Sequence, residues 1–161
     1  MGAPIPNPEG NLPLKLLVHY LEHYDFDQYG PLAYARQHDA GFDLRAAISE
    51  PVTLEPGAIT AIPNGFCVAI PEGFEMQVRS RSGLSLKGVI VANAPGTVDS
   101  GYRGEVKTIL TNISPVAHTI APGDRIAQAV LAAVAHMPFE TVDTLPESER
   151  GAGGFGSTGT A

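Results

Sequence analysis

A chain of 161 residues that is 43% hydrophobic holds one domain with a real core and is too short to expect a second. Its net charge of −7 and pI near 5.1 argue against any general affinity for nucleic acid or an anionic membrane, so neither is an expected partner. The single cysteine, Cys67, forms no internal disulfide and suits a reducing compartment, and no apolar run approaches the ~20 residues of a membrane span.

The opening "MGAPIPNPEGN" lacks the basic and apolar regions of a signal peptide, and Pro4, Ile5 and Pro6 fit a myristoylation site poorly, so a cytoplasmic protein is expected. From there the apolar residues come in short bursts. "LKLLVHYL", "AITAIP", "GFCVAIP", "FEMQVRS", "GVIVAN", "VKTILTN", "AHTIAPG" and "RIAQAVLAAV" are each strand-sized, and 18 Gly with 14 Pro punctuate them. The last burst is rich in Ala, but a Pro-Gly-Asp turn before it and Pro138 after it bound it at strand length. Residues 81–87 leave room for one helical turn. Glu22 to Arg36 is polar and aromatic and reads as a surface excursion; His19 and His23 have the spacing of a helical metal pair, but no third ligand accompanies them. Many short strands with closely spaced turns predict an all-β fold, a jelly-roll-like sandwich or distorted barrel.

Charge is unevenly spread. Between Arg79 and Arg125 stand six basic residues (Arg79, Arg81, Lys87, Arg103, Lys107, Arg125) against three acidic ones (Asp99, Glu105, Asp124), a concentration that suits a small anion. In "AGFDLRAA" strand alternation puts Asp43 and Arg45 on one face, as an ion-pair site, a phosphate and metal site, or both. In "RSRSGLSLKG", Arg81, Ser82 and Gly83 offer a guanidinium fork, a hydroxyl and a backbone N–H with no Cβ in the way, which are the groups a phosphate oxygen needs. A solvated turn has the same composition. In "NAPGTVDSGYRGEVK" two strand-like pieces bracket Asp99 and Tyr102, so the segment folds back as a hairpin whose backbone reads a flat ring while Asp99 takes a proton from water; Asp-Ser-Gly is equally an ordinary turn. In "APGDRIAQ", Gln128 is a donor to phosphate, and Asp124 and Arg125 pin the turn or an interface. The closing "GAGGFGSTGTA" has linker composition with one large ring, Phe155, and Arg150 just ahead of it.

Taken in order, "AGFDLRAA", "RSGLSLKG", "NAPGTVDSGYRGEV", "PGDRIAQ" and "RGAGGFGSTG" resemble the five motifs of the trimeric dUTPases, over roughly Ala40 to Thr160. The resemblance implies a β-clip domain over residues 1–149 and a mobile lid over 150–161. It implies hydrolysis of dUTP to dUMP and pyrophosphate, with Asp99 deprotonating the water that attacks the α-phosphorus. By the same resemblance Arg81, Ser82, Gly83 and Gln128 hold phosphates, Asn93, Thr97 and Val98 read uracil, and Tyr102 lies against the deoxyribose. Lys107 is a further substrate contact, while Arg150, Phe155 and Gly156 close over the nucleotide. The implied cofactor is Mg2+, carried mainly on the triphosphate and touched by Asp43 through water. The implied assembly is a homotrimer with sites shared between subunits. A dCTP deaminase of the same fold is the nearest rival, but Ile109 stands where that enzyme has its catalytic glutamate. A non-catalytic nucleotide-binding regulator and a purely structural trimer are further alternatives, and the complete motif set argues for an active enzyme.

Overall fold

Alternation of buried and exposed side chains, the mark of a strand with one face on a core, recurs along the chain. The computed structural model describes residues 14–154. In chain order they form β1 (Leu17–Tyr20), α1 (Phe26–Tyr29), β2 (Gly41–Arg45), β3 (Val52–Leu54), β4 (Ile59–Ala69) and β5 (Phe74–Arg79). There follow α2 (Ser82–Ser85), β6 (Val89–Val91), β7 (Gly96–Val98), β8 (Glu105–Asn112), β9 (His118–Ile120) and β10 (Arg125–Ala133). The predicted strands appear, "RIAQAVLAAV" among them, and the helical turn within 81–87 is α2.

Three readings of the sequence need correction. "AITAIP" and "GFCVAIP" are one strand, because Pro63 to Cys67 is a bulge inside β4 rather than a turn. Gly65 supplies the φ of 75° that the bulge requires. The Glu22 to Arg36 excursion is partly core: Tyr24 is buried among the rings of Tyr20, Phe26 and Tyr29 and donates its hydroxyl to the Gly30 carbonyl at 2.7 Å. Asp25 caps the short α1 by accepting from the Gln28 N–H. Strand β3 was not foreseen at all.

Two four-stranded sheets, β1-β4-β8-β6 and β2-β10-β5-β7, and a β3-β9 ribbon share one core in a jelly-roll-like arrangement with antiparallel pairings. Leu44, Leu54, Phe66, Met76 and Leu110 are fully buried at its centre. Burial of side chains this size contributes roughly 1.5–3 kcal/mol each. Three polar side chains lie in the same interior, each hydrogen-bonded. Asn64 donates to the Arg45 carbonyl and accepts from Thr108. Asn112 donates to the carbonyls of Leu54 and Val116 and accepts from the N–H and hydroxyl of Ser114, so it ties β3, β8 and the turn beyond β8 together.

Asn112→Ala removes the side-chain donor to the buried Leu54 carbonyl, while the Val116 carbonyl keeps the Ser114 hydroxyl, and is expected to destabilise the domain by about 1–3 kcal/mol. Urea unfolding of the two proteins measures the difference; a loss under about 0.5 kcal/mol would show that the asparagine is not the tie described.

Candidate active site

Register across the second sheet sets one row of polar residues: Asp43 on β2 faces Gln128 on β10, and Gln128 faces Arg79 on β5. Neighbours in the strands, Phe42, Leu44, Ala129 and Val78, point into the core, so the row lies on the opposite face. Beyond β5 the chain turns sharply and is held in place. The Ser80 hydroxyl accepts from the Val91 N–H at 2.8 Å, and the Ser80 carbonyl accepts from the Gln128 amide at 3.0 Å. Arg81 is extended, and α2 begins immediately after it with Ser82 and Gly83 exposed. The first turn of a helix leaves its leading N–H groups without intrahelical acceptors.

Asp43 does not pair with Arg45, whose guanidinium donates instead to the Gly123 carbonyl at 3.0 Å. It pairs with Arg81, Nε to Oδ1 at 2.9 Å, and with Arg125, Nη1 to Oδ2 at 3.3 Å. Arg81 also donates to the Arg125 carbonyl at 3.0 Å. These partly exposed pairs add little stability, but they aim two guanidinium groups. Asp43, Arg79, Arg81, Ser82, Gly83 and Gln128 line a cavity of about 420 Å³, whose far wall is Ala35 and Asp39 to Gly41. A concave surface with fork-like cations, a hydroxyl and a glycine is suited to an anion with several oxygens. Asp124 acts on its own turn, where its carboxylate accepts from the Ala121 N–H at 2.8 Å.

The hairpin is present. β6 and β8 pair, and the loop between them sends β7 across to β5 in the other sheet. Asn93 lies against Gly96, where an added Cβ would meet its Nδ2 at 3.1 Å. Asn93 and Thr97 are exposed and Val98 is half-buried. The Tyr102 N–H donates to the Asp99 carbonyl at 3.0 Å, and Arg103 clasps the carbonyls of Ser100 and Tyr102 at 2.6 and 2.7 Å. Among the described residues the exposed Asp99 carboxylate has no hydrogen-bond partner, as a base that meets water needs. Lys107 is exposed on β8, its Nζ 3.8 Å from Glu105.

No residue of the hairpin lines this cavity. Met76 faces Val98, so the continued register sets Asp99 opposite Glu75. Arg79, the cavity residue that ends β5, lies four positions further along, about 13 Å at the rise of an extended chain. Arg150 is exposed and donates to the Gly153 carbonyl at 2.8 Å, while Phe155 and Gly156 lie outside the described residues. Among the described residues no three His, Cys, Asp or Glu side chains are grouped to hold a metal ion. Sequence reasoning missed Ser80, Arg103 and the wall residues Ala35 and Asp39. The only signal for the wall was its position directly before "AGFDLR".

The family model described as dUTPase matches residues 30–159. The chain is 58% identical over 130 residues to the deoxyuridine 5'-triphosphate nucleotidohydrolase of Caulobacter vibrioides, covering 79% of this chain and 84% of that protein. It is 50% identical over 127 residues to the protein of the same name in Rickettsia massiliae, covering 78% and 86%. Among solved structures, the Staphylococcus bacteriophage 80alpha dUTPase with dUPNHPP superimposes with a TM-score of 0.79 at 27% identity, over 91% of this chain and 99% of that one. The family match runs through both the cavity and the hairpin, and with relatives 50–58% identical it places this chain in the dUTPase family.

Proposed function

We propose that the chain hydrolyses dUTP to dUMP and pyrophosphate by attack of water on the α-phosphorus, and does so in the cytoplasm. The observation that carries this reading is the convergence of Asp43, Arg81, Ser82, Gly83 and Gln128 on one cavity in a chain of this family. Arg81, Ser82, Gly83 and Gln128 take the phosphates, and the guanidinium of Arg81 is aimed by Asp43. Phosphoryl transfer asks for placed water and neutralised charge more than covalent help. Asp99 is the group that deprotonates the water. Asn93 with the backbone of Thr97 and Val98 reads uracil, Tyr102 packs on the sugar and excludes a 2'-hydroxyl, and Lys107 is a further contact. Arg150, Phe155 and Gly156 close over the bound nucleotide, excluding water.

Magnesium fits this donor set as a companion of the substrate. The Asp43 oxygens are shared by two guanidinium groups, which leaves Asp43 to meet such an ion through water. When bound, the ion neutralises charge on the triphosphate oxygens. The deaminase alternative is disfavoured because Ile109, on β8, supplies no acid.

The site is assembled from three copies of the chain, with the phosphate loop from one, the Asp99 hairpin from the second and the tail from the third. Two observations support this. One is the separation of hairpin and cavity along the second sheet. The other is the path after β10, where residues 134–149 run without regular structure and present Met137, Phe139 and Leu145 at 75%, 105% and 83% exposure. That segment offers apolar side chains for a neighbour to cover. Closed three-fold symmetry lets every copy give and receive the same pieces.

With magnesium present, pyrophosphate release is expected from dUTP and far more slowly from dCTP, dTTP and UTP; comparable release from dCTP or UTP overturns the reading. Asp99→Asn is expected to lower the rate by ~10² to 10⁴ while leaving nucleotide affinity within about tenfold, measured by steady-state kinetics and equilibrium binding. Refolded together in equal amounts, Asp99→Asn and a chain truncated before Arg150 should regain activity, since about a quarter of sites in random trimers then combine an intact aspartate with an intact tail. Mixed trimers that stay inactive would reject the shared site.

A further inference from the structure

The hairpin that carries Tyr102 is anchored at Glu105, and three separate parts of the chain converge on that side chain. Oε1 of Glu105 accepts from the Gly65 N–H at 3.0 Å and lies 2.7 Å from Nε2 of His23. Lys107 is 3.8 Å from the other oxygen. The carboxylate is only 17% exposed, so its bond to the Gly65 N–H is partly shielded from water, while His23 reaches it from the exposed side. Gly65 is the centre of the β4 bulge, and its N–H is aimed at Glu105 by the positive φ described above. His23 comes from the turn after β1, outside the five motifs.

On its backbone side the same residue holds the ring. The Tyr102 hydroxyl donates to the Glu105 carbonyl at 3.0 Å. The ring lies over Gly104, where an added Cβ would come within 2.7 Å of Cζ. Orientation of the ring is therefore set by the backbone of residues 104 and 105, and the position of that backbone by the Glu105 side chain. We infer that Glu105, fixed by His23 and the Gly65 N–H, is a positioning residue for Tyr102 and thereby for discrimination between deoxyribose and ribose. This rests on the reading of Tyr102 as the sugar-facing ring. It gives the segment between β1 and α1 a part in substrate selection.

The test compares kcat/KM for dUTP and UTP in the full chain and in His23→Ala, His23→Gln, Glu105→Ala and Tyr102→Ala, with thermal unfolding of each. His23→Ala and Glu105→Ala are expected to lower the dUTP to UTP ratio by about threefold to tenfold, the effect of a hydrogen-bond loss transmitted in part to the ring. His23→Gln, which keeps a donor, should restore most of it. Combined with Tyr102→Ala, neither should lower the ratio further. Loss of selectivity in Tyr102→Ala together with full selectivity in His23→Ala and Glu105→Ala overturns the inference, including the case in which those two only lower the melting temperature. If Tyr102→Ala itself keeps selectivity, the sugar-facing reading fails and the inference falls with it. His23 is exposed, so His23→Ala decides the matter alone should Glu105→Ala not fold.

Discussion

Strand β10 is paired on both sides, to β2 and to β5, and the double register is the constraint on which the cavity lined by Asp43, Arg81 and Gln128 depends. Side chains in a strand alternate between faces, so a slip of one residue on either side would turn Asp43 or Arg79 into the core and bring Phe42 or Val78 out. Core and site therefore specify each other. Burial of Leu44, Ile126 and Ala129 fixes the register, and the register lines up Asp43, Gln128 and Arg79 on the outer face. The irregularity between Arg125 and Ala127 lets Ile126 and Ala127 both be buried while Arg125 still reaches Asp43.

The hairpin obeys a different logic. It begins and ends in the first sheet, on β6 and β8, yet its short middle strand pairs in the second. A loop tied to both sheets is positioned by the packing of one against the other. Within it the restraints are short-range: a turn at Asp99, the Arg103 guanidinium on two carbonyls, and the Tyr102 ring on Gly104. Asp99 is thus presented from a braced loop, and among the described residues its carboxylate takes no part in the bracing.

Most strands were legible because β-branched runs between Pro and Gly have few other ways to fold. β3 escaped notice since Val52–Leu54 is three residues between two prolines, too short to show a period. The bulge in β4 was read as a turn because Pro63, Asn64 and Gly65 have turn composition; what distinguishes the two is pairing with β8, which local sequence does not contain. Polar neighbours disguised Tyr24 in the same way. In the site, residue types such as Arg81, Ser82 and Asp99 were readable. Which of them share a cavity was not, because that depends on β2 and β10, near opposite ends of the chain, lying side by side. The partner of Asp43 illustrates the point: alternation suggested Arg45, two residues away, and the fold chose Arg81 and Arg125. Ser80 was missed because one of its two bonds uses its own carbonyl and the other a distant N–H, neither of which depends on a distinctive residue pattern.

The segment after β10 keeps Met137, Phe139 and Leu145 in water on a single chain. In the trimer proposed above, covering them on a neighbour would link folding free energy to mass action, so that dilution would weaken the fold itself and not only the assembly. A newly made chain would then pass through a period in which these side chains await a second copy, and encounter between chains would end that exposure. Cells making little of such a protein would meet this hazard for longer than cells making much of it.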